Sequence, residues 1–217
     1  MDIALTAVLV VLGYLAGSIP FAIVVGKWFW HVDVRDHGSG NVGTTNVFRV
    51  LGRRAGTLVL VGDMAKGFLP VAAAKYLFDL PPWMTLIVAL APLLGHMYSV
   101  FLRGGGGKGV ATGAGIVLAL MWQVFLIALA VFLLVLLTSR LVSLASICAA
   151  VTFAVSTIAF EKPISYQVLS VLAALVVIWA HRSNIRRIVM RCENKVTFPW
   201  DQRHGDVPRT PAENGGG

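Results

Sequence analysis

Charged residues and cysteines are both scarce in this sequence. Charged side chains make up 13% of its 217 residues, against about 25% in ordinary soluble domains, and hydrophobic residues reach 57%. A water-soluble globule is therefore not expected. The two cysteines, Cys148 and Cys192, are too few for a disulfide framework or a zinc site. Acidic residues are also few, 10 against 18 basic ones, and the net charge is +8.

The hydrophobic residues lie in long runs instead of alternating stripes. Each run approaches the ~20 residues that a helix needs to cross the hydrocarbon core. The runs cover about residues 3–30, 55–78, 84–102, 110–138, 141–160 and 164–181. The sequence thus predicts an all-α fold, a polytopic membrane helical bundle joined by short cytoplasmic glycine-rich loops. A removable signal peptide is not expected, because the first run ends without a small-residue cleavage site.

The chain reads as one membrane domain over residues 1–198 and a polar, disordered tail over 199–217. Basic residues cluster in three regions, which the positive-inside rule places in the cytoplasm: 35–54, 103–108 and 182–195. The N-terminus is then outside, the C-terminus inside, and the number of crossings odd. Six runs are visible, so residues 110–160 hold either three short helices or one span plus a re-entrant segment.

Residues 35–49, which read RDHGSGNVGTTNVFR, form the first glycine loop. Glycines let consecutive N–H groups converge on an anion, and hydroxyl and amide side chains add donors. Arg49 offers a guanidinium suited to phosphate, and it faces the same site as Asn46 if a helix starts between them. A solvated flexible loop is the alternative, but the donor density favours phosphate binding. The candidate binding residues are Gly38, Ser39, Gly40, Asn41, Gly43, Thr44, Thr45, Asn46 and Arg49.

Residues 103–109, which read RGGGGKG, form the second glycine loop. Lys108 supplies a positive charge, and the helix that follows adds the partial positive charge of its N-terminus. The loop is not a Walker motif, because Leu102 and Gly109 replace the required glycine and serine or threonine, so ATP hydrolysis is unsupported. A lone glycine run is more often a linker, but two such loops on one membrane face favour phosphate binding. Its candidate binding residues are Gly104, Gly105, Gly106, Gly107 and Lys108.

A third polar motif, HRSNIRR, ends the last hydrophobic run. His181 and Asn184 are three residues apart and share a helical face, where both can hydrogen-bond a hydroxyl or phosphate. We interpret most of the nearby arginines as topogenic charge that attracts anionic lipid headgroups.

Three ionisable residues interrupt the hydrophobic runs. Asp63 and Lys66 are either a functional pair or a mutual ion pair that orients their helix toward the bundle interior, and we weigh the two equally. His96 is expected to hydrogen-bond a backbone group within the bundle more readily than to act directly in chemistry.

Four motifs in order resemble the integral-membrane acyl-phosphate:glycerol-3-phosphate acyltransferase family of bacteria (the PlsY type). They are GSGNVGTTNVFRVLG, GHMYSVFLRGGGGKGVAT, SRLVSLASI and HRSNIRR, within about residues 5–198. The resemblance implies seven crossings of the bacterial inner membrane. It also implies transfer of a fatty acyl group from acyl phosphate to the 1-hydroxyl of glycerol 3-phosphate, which gives lysophosphatidic acid and phosphate in the first acylation of phospholipid synthesis.

The resemblance also implies residue roles. Ser39, Arg49, Lys108, His181 and Asn184 are expected to hold glycerol 3-phosphate, while the glycine loops cradle the acyl-phosphate headgroup. Gly104 and Gly105 replace an aromatic residue and a lysine that are usual in the family, so the second loop is expected to be floppier. The expected partners are both substrates and membrane lipids, with no nucleic acid, no cofactor and no metal. The oligomeric state is left open, with a monomer as one possibility.

Two other functions compete with this one. His31 and Asp36 form an H-x4-D pair, the motif of a glycerolipid acyltransferase class in which histidine is the base, but such a pair arises easily by chance. A transporter for phosphorylated solutes needs polar residues along a path through the membrane, and apart from Asp63 and Lys66 the runs supply few.

Overall fold

A computed structural model describes residues 2–196, in which all regular secondary structure is helical. This confirms the all-α bundle predicted from the hydrophobic runs. The tail expected over 199–217 lies outside the described residues. The α-helices are α1 Asp2–Ser18, α2 Phe21–Trp30, α3 Thr44–Ala72, α4 Pro82–Met97, α5 Val110–Leu120, α6 Trp122–Ser139, α7 Val142–Ala159, α8 Ile164–Ala180 and α9 Arg182–Val189.

Residues 110–160 hold three helices, α5 to α7, which is the first of the two segmentations left open by the sequence. In the described part of the chain, four helices are long and apolar enough to cross a membrane: α3, α4, α6 and α7. The number rises to 6 if α1 with α2, bent by 44°, and α8 with α9, bent by 58°, each form one span. Seven crossings also require α5, which has only 11 residues, and that number stays a prediction.

Helices α1 and α4 run parallel and touch along small residues. A Cβ atom on Gly17 would lie 2.3 Å from the carbonyl oxygen of Pro92, and one on Gly95 would lie 2.2 Å from that of Tyr14. Nearer the N-terminus, Leu9 packs in one cluster with Met84. The two helices therefore end together, and the second glycine loop, which follows α4, lies at the end of the bundle opposite the N-terminus.

Helix α3 is sharply kinked at Gly52, where the backbone adopts φ 80° and ψ −169°, a conformation that glycine alone adopts readily. The first two turns fold back over the rest of the helix. Phe48 packs so closely on Gly56 that a Cβ there would lie 2.3 Å from its ring. Since these turns carry the end of the first glycine loop, the kink holds that loop against the membrane-embedded part of α3.

Asp63 and Lys66 form an ion pair, which is one of the two interpretations that the sequence left open. The Nζ and Oδ1 atoms are 2.7 Å apart, and the side chains are 4% and 2% exposed for lysine and aspartate. Lys66 also donates to the carbonyl of Ile19, where α1 breaks before Pro20. The pair thereby ties α3 to the break between α1 and α2.

Candidate active site

A hydrogen-bonded cluster joins the second glycine loop to the end of the chain. We call it the Asn184 cluster; its members are Lys108, Ser143, Asn184, Arg187 and Glu193. The Lys108 ammonium donates to Asn184 Oδ1, and Asn184 Nδ2 donates to Glu193 Oε1 over 2.6 Å. Only this orientation of the amide satisfies both neighbours, since an ammonium only donates and a carboxylate only accepts. The structure thus brings Lys108 and Asn184 together, although 76 residues separate them.

Glu193, on the other side of Asn184, accepts hydrogen bonds from three side chains. Its carboxylate accepts from Ser143 over 2.9 Å and from Arg187 Nε over 2.6 Å. Neither Ser143 nor Glu193 is predicted from the sequence, which assigns most of the arginines near Asn184 to topogenic charge. The motif SRLVSLASI, which contains Ser143, was the one signal that pointed here. Nothing in the sequence near Glu193 indicates that it meets α7, since the hydrogen bond to Ser143 spans 50 residues.

Two pKa values reflect this arrangement. Burial raises the pKa of Glu193, but hydrogen bonds from Asn184, Arg187 and Ser143 outweigh burial and hold it below its usual value. Burial lowers the pKa of Lys108, the charge of Glu193 opposes this shift, and that of Arg187 adds to it. Glu193 therefore favours the charged state of the lysine, which is the form suited to a phosphate.

His181 stands where α8 ends and α9 begins, at the 58° bend. It is 3% exposed, and Asn184, three residues on, is 7% exposed, so the two share a buried helical face as predicted. His181 Nδ1 lies 2.8 Å from the carbonyl of Val177. Because a carbonyl only accepts, Nδ1 carries the proton, and in the neutral ring Nε2 is the nitrogen that can accept one.

The second glycine loop does not present four free amides, which corrects the expectation that all of them converge on a phosphate. The N–H groups of Gly104, Gly105 and Gly107 donate to the carbonyls of Ser99, Leu102 and His96 over 2.9, 3.0 and 3.1 Å. The N–H of Gly106 makes no such bond within the described part of the chain. The remaining donors are the first amides of α5, which have no partner within the helix.

Close packing fixes the second half of this loop, and the floppiness expected from Gly104 and Gly105 stays a prediction. A Cβ on Gly106 would lie 2.0 Å from the carbonyl oxygen of His96, and one on Gly107 would lie 2.3 Å from His96 Nε2. Neither position tolerates a side chain. A Cβ on Gly104 would meet nothing within 4 Å, and one on Gly105 only a carbonyl oxygen at 3.4 Å. These are the two glycines that the resemblance predicts to stand in place of an aromatic residue and a lysine.

Asn46 organises the first glycine loop from within. Its Nδ2 donates to the carbonyls of Val34 and His37, and its Oδ1 accepts from the N–H of Ser39 over 2.9 Å. The side chain is 2% exposed and its amide is fully engaged. Asn46 is thus placed to shape the loop rather than to contact a substrate, whereas Arg49, three residues on in α3, is exposed. That the two residues face one site stays a prediction.

Other candidates in the first glycine loop lie at its surface. Ser39 and Arg49 are exposed, and in the described part of the chain neither side chain is bonded to the Asn184 cluster. Thr44 and Thr45 open α3, where their N–H groups have no partner within the helix. Glycine residues 38 and 40 have φ of 63° and 69°, and a Cβ on Gly38 would lie 2.4 Å from Asn46 Oδ1. Asn41 lies over Gly43, which caps α3.

The two glycine loops are neighbours. Val42 from the first and Gly107 from the second line the same small cavity, with Asp63 and His96 at its floor. A second cavity, entirely apolar in lining, lies between α4, α5, α7 and α8 and begins at Gly113, one turn into α5. The site therefore combines polar loops at the end of the bundle with an apolar surface just below them.

The H-x4-D pair is not assembled. His31 ends α2 with a left-handed backbone of φ 55°, and Asp36 lies in the short 3₁₀ turn Val34–Asp36. Both are exposed, and in residues 2–196 no hydrogen bond or ion pair links them. Arg35 pairs instead with Asp33, whose Oδ2 lies 2.6 Å from its Nη2.

Glu193→Gln is expected to lower the thermal midpoint at neutral pH, because it removes the charge that Arg187 and Lys108 face. Since the folded-state pKa of Glu193 is depressed, its contribution to stability is complete above the ordinary glutamate pKa of about 4.3 and is lost as pH falls through the folded value. The gap between wild type and variant should therefore close in acid. Thermal unfolding in detergent from pH 7 to about pH 2 covers the range below the unfolded pKa, and a gap that stays constant over this range would contradict the assignment.

The known proteins that this chain resembles in sequence are glycerol-3-phosphate acyltransferases. A family model described as glycerol-3-phosphate acyltransferase matches residues 7–191. A glycerol-3-phosphate acyltransferase of Geobacillus kaustophilus is 48% identical over 195 residues, 90% of this chain and 98% of that protein. One of Myxococcus xanthus is 44% identical over 191 residues, 88% of this chain and 100% of that protein.

Two solved structures are also similar. The glycerol 3-phosphate form of PlsY, an integral membrane glycerol 3-phosphate acyltransferase, aligns with a TM-score of 0.86 and 38% identity over 92% of this chain and 99% of that one. Its lysophosphatidic acid form aligns with a TM-score of 0.83 and 39% identity over 88% of this chain and 95% of that one.

Proposed function

We propose, since the chain belongs to the glycerol-3-phosphate acyltransferase family, that it transfers a fatty acyl group from acyl phosphate to the 1-hydroxyl of glycerol 3-phosphate. The products are lysophosphatidic acid and inorganic phosphate. The observation that carries the proposal is the meeting of Lys108 and Asn184 beside the N-terminus of α5, with the first glycine loop next to them. This surface has donors for two phosphate groups.

The donor's phosphate fits the N-terminus of α5. The first amides of a helix point outward without partners and carry a partial positive charge, which favours an anion. Lys108 precedes this terminus by two residues, and the N–H of Gly106 adds one more donor. The apolar cavity that begins at Gly113 leads from this position into the bundle, so an acyl chain attached to the phosphate lies against apolar side chains.

The acceptor's phosphate fits between the first glycine loop and the Asn184 cluster. Arg49 is an exposed guanidinium that can form two parallel bonds with a phosphate, and Ser39 adds a hydroxyl. Lys108, His181 and Asn184 border the same region from the other side. Asn46 and Glu193 contact no substrate in this assignment; they fix the loop and the amide that do.

Acyl transfer here needs positioning and charge stabilisation more than a covalent intermediate. The acceptor oxygen attacks the acyl carbon, the bond from that carbon to the phosphate oxygen breaks, and phosphate leaves with the electron pair. Lys108 and the α5 amides stabilise the charge that develops on the leaving phosphate. The hydroxyl proton passes either to Nε2 of His181 or to the departing phosphate.

His181→Asn separates these two routes for the proton. Asparagine retains a hydrogen-bonding side chain but cannot take a proton, and a general base typically contributes about 10²–10⁴-fold. We expect a loss of kcat smaller than that range, because phosphate itself can accept the proton. Steady-state kinetics of the purified variant measure the loss, and a drop of kcat within the full range would assign the proton to the imidazole.

The protein is an integral membrane protein, and its membrane orientation is part of the proposal. The glycine loops and the C-terminal end lie at one end of the bundle, opposite the N-terminus, and they carry most of the basic residues. We place this end in the cytoplasm by the positive-inside rule, with residues 1–198 as one catalytic domain among the membrane lipids. Cysteine labelling at position 39 tests it: access from outside only would contradict the orientation.

Phosphate release tests the function itself. In detergent, lysophosphatidic acid and inorganic phosphate should form in equal amounts, only when both substrates are present, and without ATP or added metal. Flux of glycerol 3-phosphate through reconstituted liposomes without any such turnover would support the transporter instead.

A further inference from the structure

A buried polar network lies beneath both glycine loops, and it has no role in the reaction proposed above. Its centre is the Asp63 carboxylate, and the residue is 1% exposed; Lys66 is 5% and His96 7% exposed. Stability alone does not account for such a network, because well-packed apolar residues often stabilise a buried site as much as an ion pair does. Ionisable groups within a membrane bundle are instead a mark of function.

Asp63 reaches the first glycine loop through Thr44. The Thr44 hydroxyl donates to Asp63 Oδ2 over 3.4 Å, although 19 residues separate the two on the same helix. This contact exists because α3 folds back at Gly52. The hydrogen bond thus links the N-terminus of α3, which ends the loop, to the membrane-embedded part of the helix.

Asp63 reaches the second glycine loop through His96. The other carboxylate oxygen, Oδ1, lies 3.7 Å from His96 Nδ1, which is also 3.1 Å from the hydroxyl of Thr112 in the first turn of α5. The carbonyl of His96 accepts the N–H of Gly107, and its ring fills the space where a Gly107 side chain would stand. His96 therefore supports both the loop and the helix N-terminus that follows it.

Lys66 holds the carboxylate in place from a third direction. Its ammonium is 2.7 Å from Asp63 Oδ1 and donates over 2.9 Å to the carbonyl of Ile19. The Asp63 carboxylate is thereby connected through Lys66 to the break between α1 and α2, through Thr44 to the start of α3, and through His96 to the end of α4. Its position cannot change without moving at least one glycine loop.

We propose that Asp63 is a positioning residue that fixes the separation of the two glycine loops. This inference rests on the proposed function, in which the first loop binds the acceptor and the second the donor. Each loop retains its own binding groups when Asp63 is lost, but the acceptor hydroxyl and the acyl carbon no longer meet in reacting geometry. A misplacement of about 1 Å costs on the order of 10²-fold in rate. The defect therefore falls on kcat and not on KM.

The test is a neutralised variant, Asp63→Asn with Lys66→Met, which removes both charges and so leaves no buried charge unpaired. We expect its kcat to fall by about 10–100-fold while KM for each substrate stays within about threefold of wild type. An unchanged kcat, or a loss confined to KM, would overturn the proposal.

Lys75→Met is the matched control. Lys75 follows the last residue of α3 and donates to the carbonyls of Ala119 and Leu120 at the C-terminal end of α5. These contacts lie at the end of the bundle remote from the glycine loops. This variant is expected to lower the thermal midpoint and to keep wild-type kcat. A kcat loss as large as that of the neutralised variant would show that general loosening of the bundle explains both, and would overturn the proposal.

A milder variant decides the matter if the neutralised protein does not fold. Thr44→Val removes only the hydroxyl that bonds Asp63, and Thr44→Ser keeps it. Valine is expected to lower kcat several-fold with KM unchanged, and serine to restore it. If the neutralised protein folds, adding Thr44→Val to it should cause no further loss, since coupled residues are not additive. A rise in KM, or full additivity, would assign Thr44 to direct substrate binding and overturn the proposal.

Failure of this inference differs from failure of the proposed function. A wild-type protein that does not use acyl phosphate refutes the function. A wild-type protein that uses it, beside a neutralised variant with the same kcat, refutes the positioning role alone.

Discussion

Lys108→Ala is expected to lower kcat/KM for acyl transfer by about 10²–10³-fold, the typical effect of removing one group that stabilises developing charge. Lys108 precedes the first residue of α5 by two residues, and Asn184, itself bonded to Glu193, accepts from its ammonium. Without it, charge on the departing phosphate is stabilised by amides alone. The loss should appear chiefly in kcat, which steady-state kinetics of the purified variant measure.

Arg103→Asn is the control for this variant. Arg103 is an exposed cation in the same loop with a left-handed backbone of φ 52°, which asparagine tolerates. It is expected to keep activity within a few-fold of wild type. The Lys108→Ala protein should remain folded, because Glu193 keeps its bonds to Ser143, Asn184 and Arg187. Equal losses for the two variants would contradict a specific role for Lys108.

Arg49→Ala should lower kcat/KM for glycerol 3-phosphate by about 10²-fold or more, because each charge-assisted hydrogen bond to phosphate contributes roughly 1.5–3 kcal/mol. Arg49 is exposed and has no partner among the described residues, so its removal costs the fold little. The effect therefore reports on substrate alone. Arg49→Lys should also be impaired, since an ammonium does not reproduce the two parallel bonds of a guanidinium.

Arg53→Ala provides the comparison for Arg49. It is also an exposed arginine of α3, and it follows the kink at Gly52 by one residue. We expect near wild-type kinetics from it. If Arg53→Ala and Arg49→Ala lowered kcat/KM alike, general attraction of anions to a basic surface would explain both.

The sequence predicts those parts of the fold and site that depend on local chemistry. Hydrophobic runs locate the helices because a membrane span needs continuous apolar length. The i, i+3 spacing of His181 and Asn184 places both on one buried face, as found. The run over residues 3–30 breaks before Pro20, and that proline was a readable signal for the break.

Long-range contacts are what the sequence does not reveal. Glycine composition indicates that amides can converge, but the partners of Gly104, Gly105 and Gly107 are carbonyls set by the end of α4. In the sequence, Asn46 is a candidate donor to a substrate. Its hydrogen bonds to the carbonyls of Val34 and His37 form only in the folded loop, so the sequence does not show that its amide is already engaged. Glu193 meets Ser143 only through the packing of α9 and the following segment against α7.

The kink at Gly52 likewise depends on long-range contacts that the sequence does not reveal. Glycine is compatible with a helix interior, with a bend and with a loop, and nothing in the neighbouring residues selects among these. Its conformation becomes determined only when Phe48 packs on Gly56 and Thr44 reaches Asp63. The spatial relation of the two glycine loops therefore depends on tertiary packing, although each loop is visible in the sequence.

The choice of acyl donor tests the central claim most directly. Purified protein in detergent, given glycerol 3-phosphate and equal concentrations of either acyl phosphate or acyl-CoA, should form lysophosphatidic acid with acyl phosphate and not with acyl-CoA. The reason is that the proposed donor site holds a single phosphate at the N-terminus of α5, and no hydrogen bond or ion pair among the described residues links His31 and Asp36 of the H-x4-D pair. Product formed from acyl-CoA but not from acyl phosphate would contradict the account.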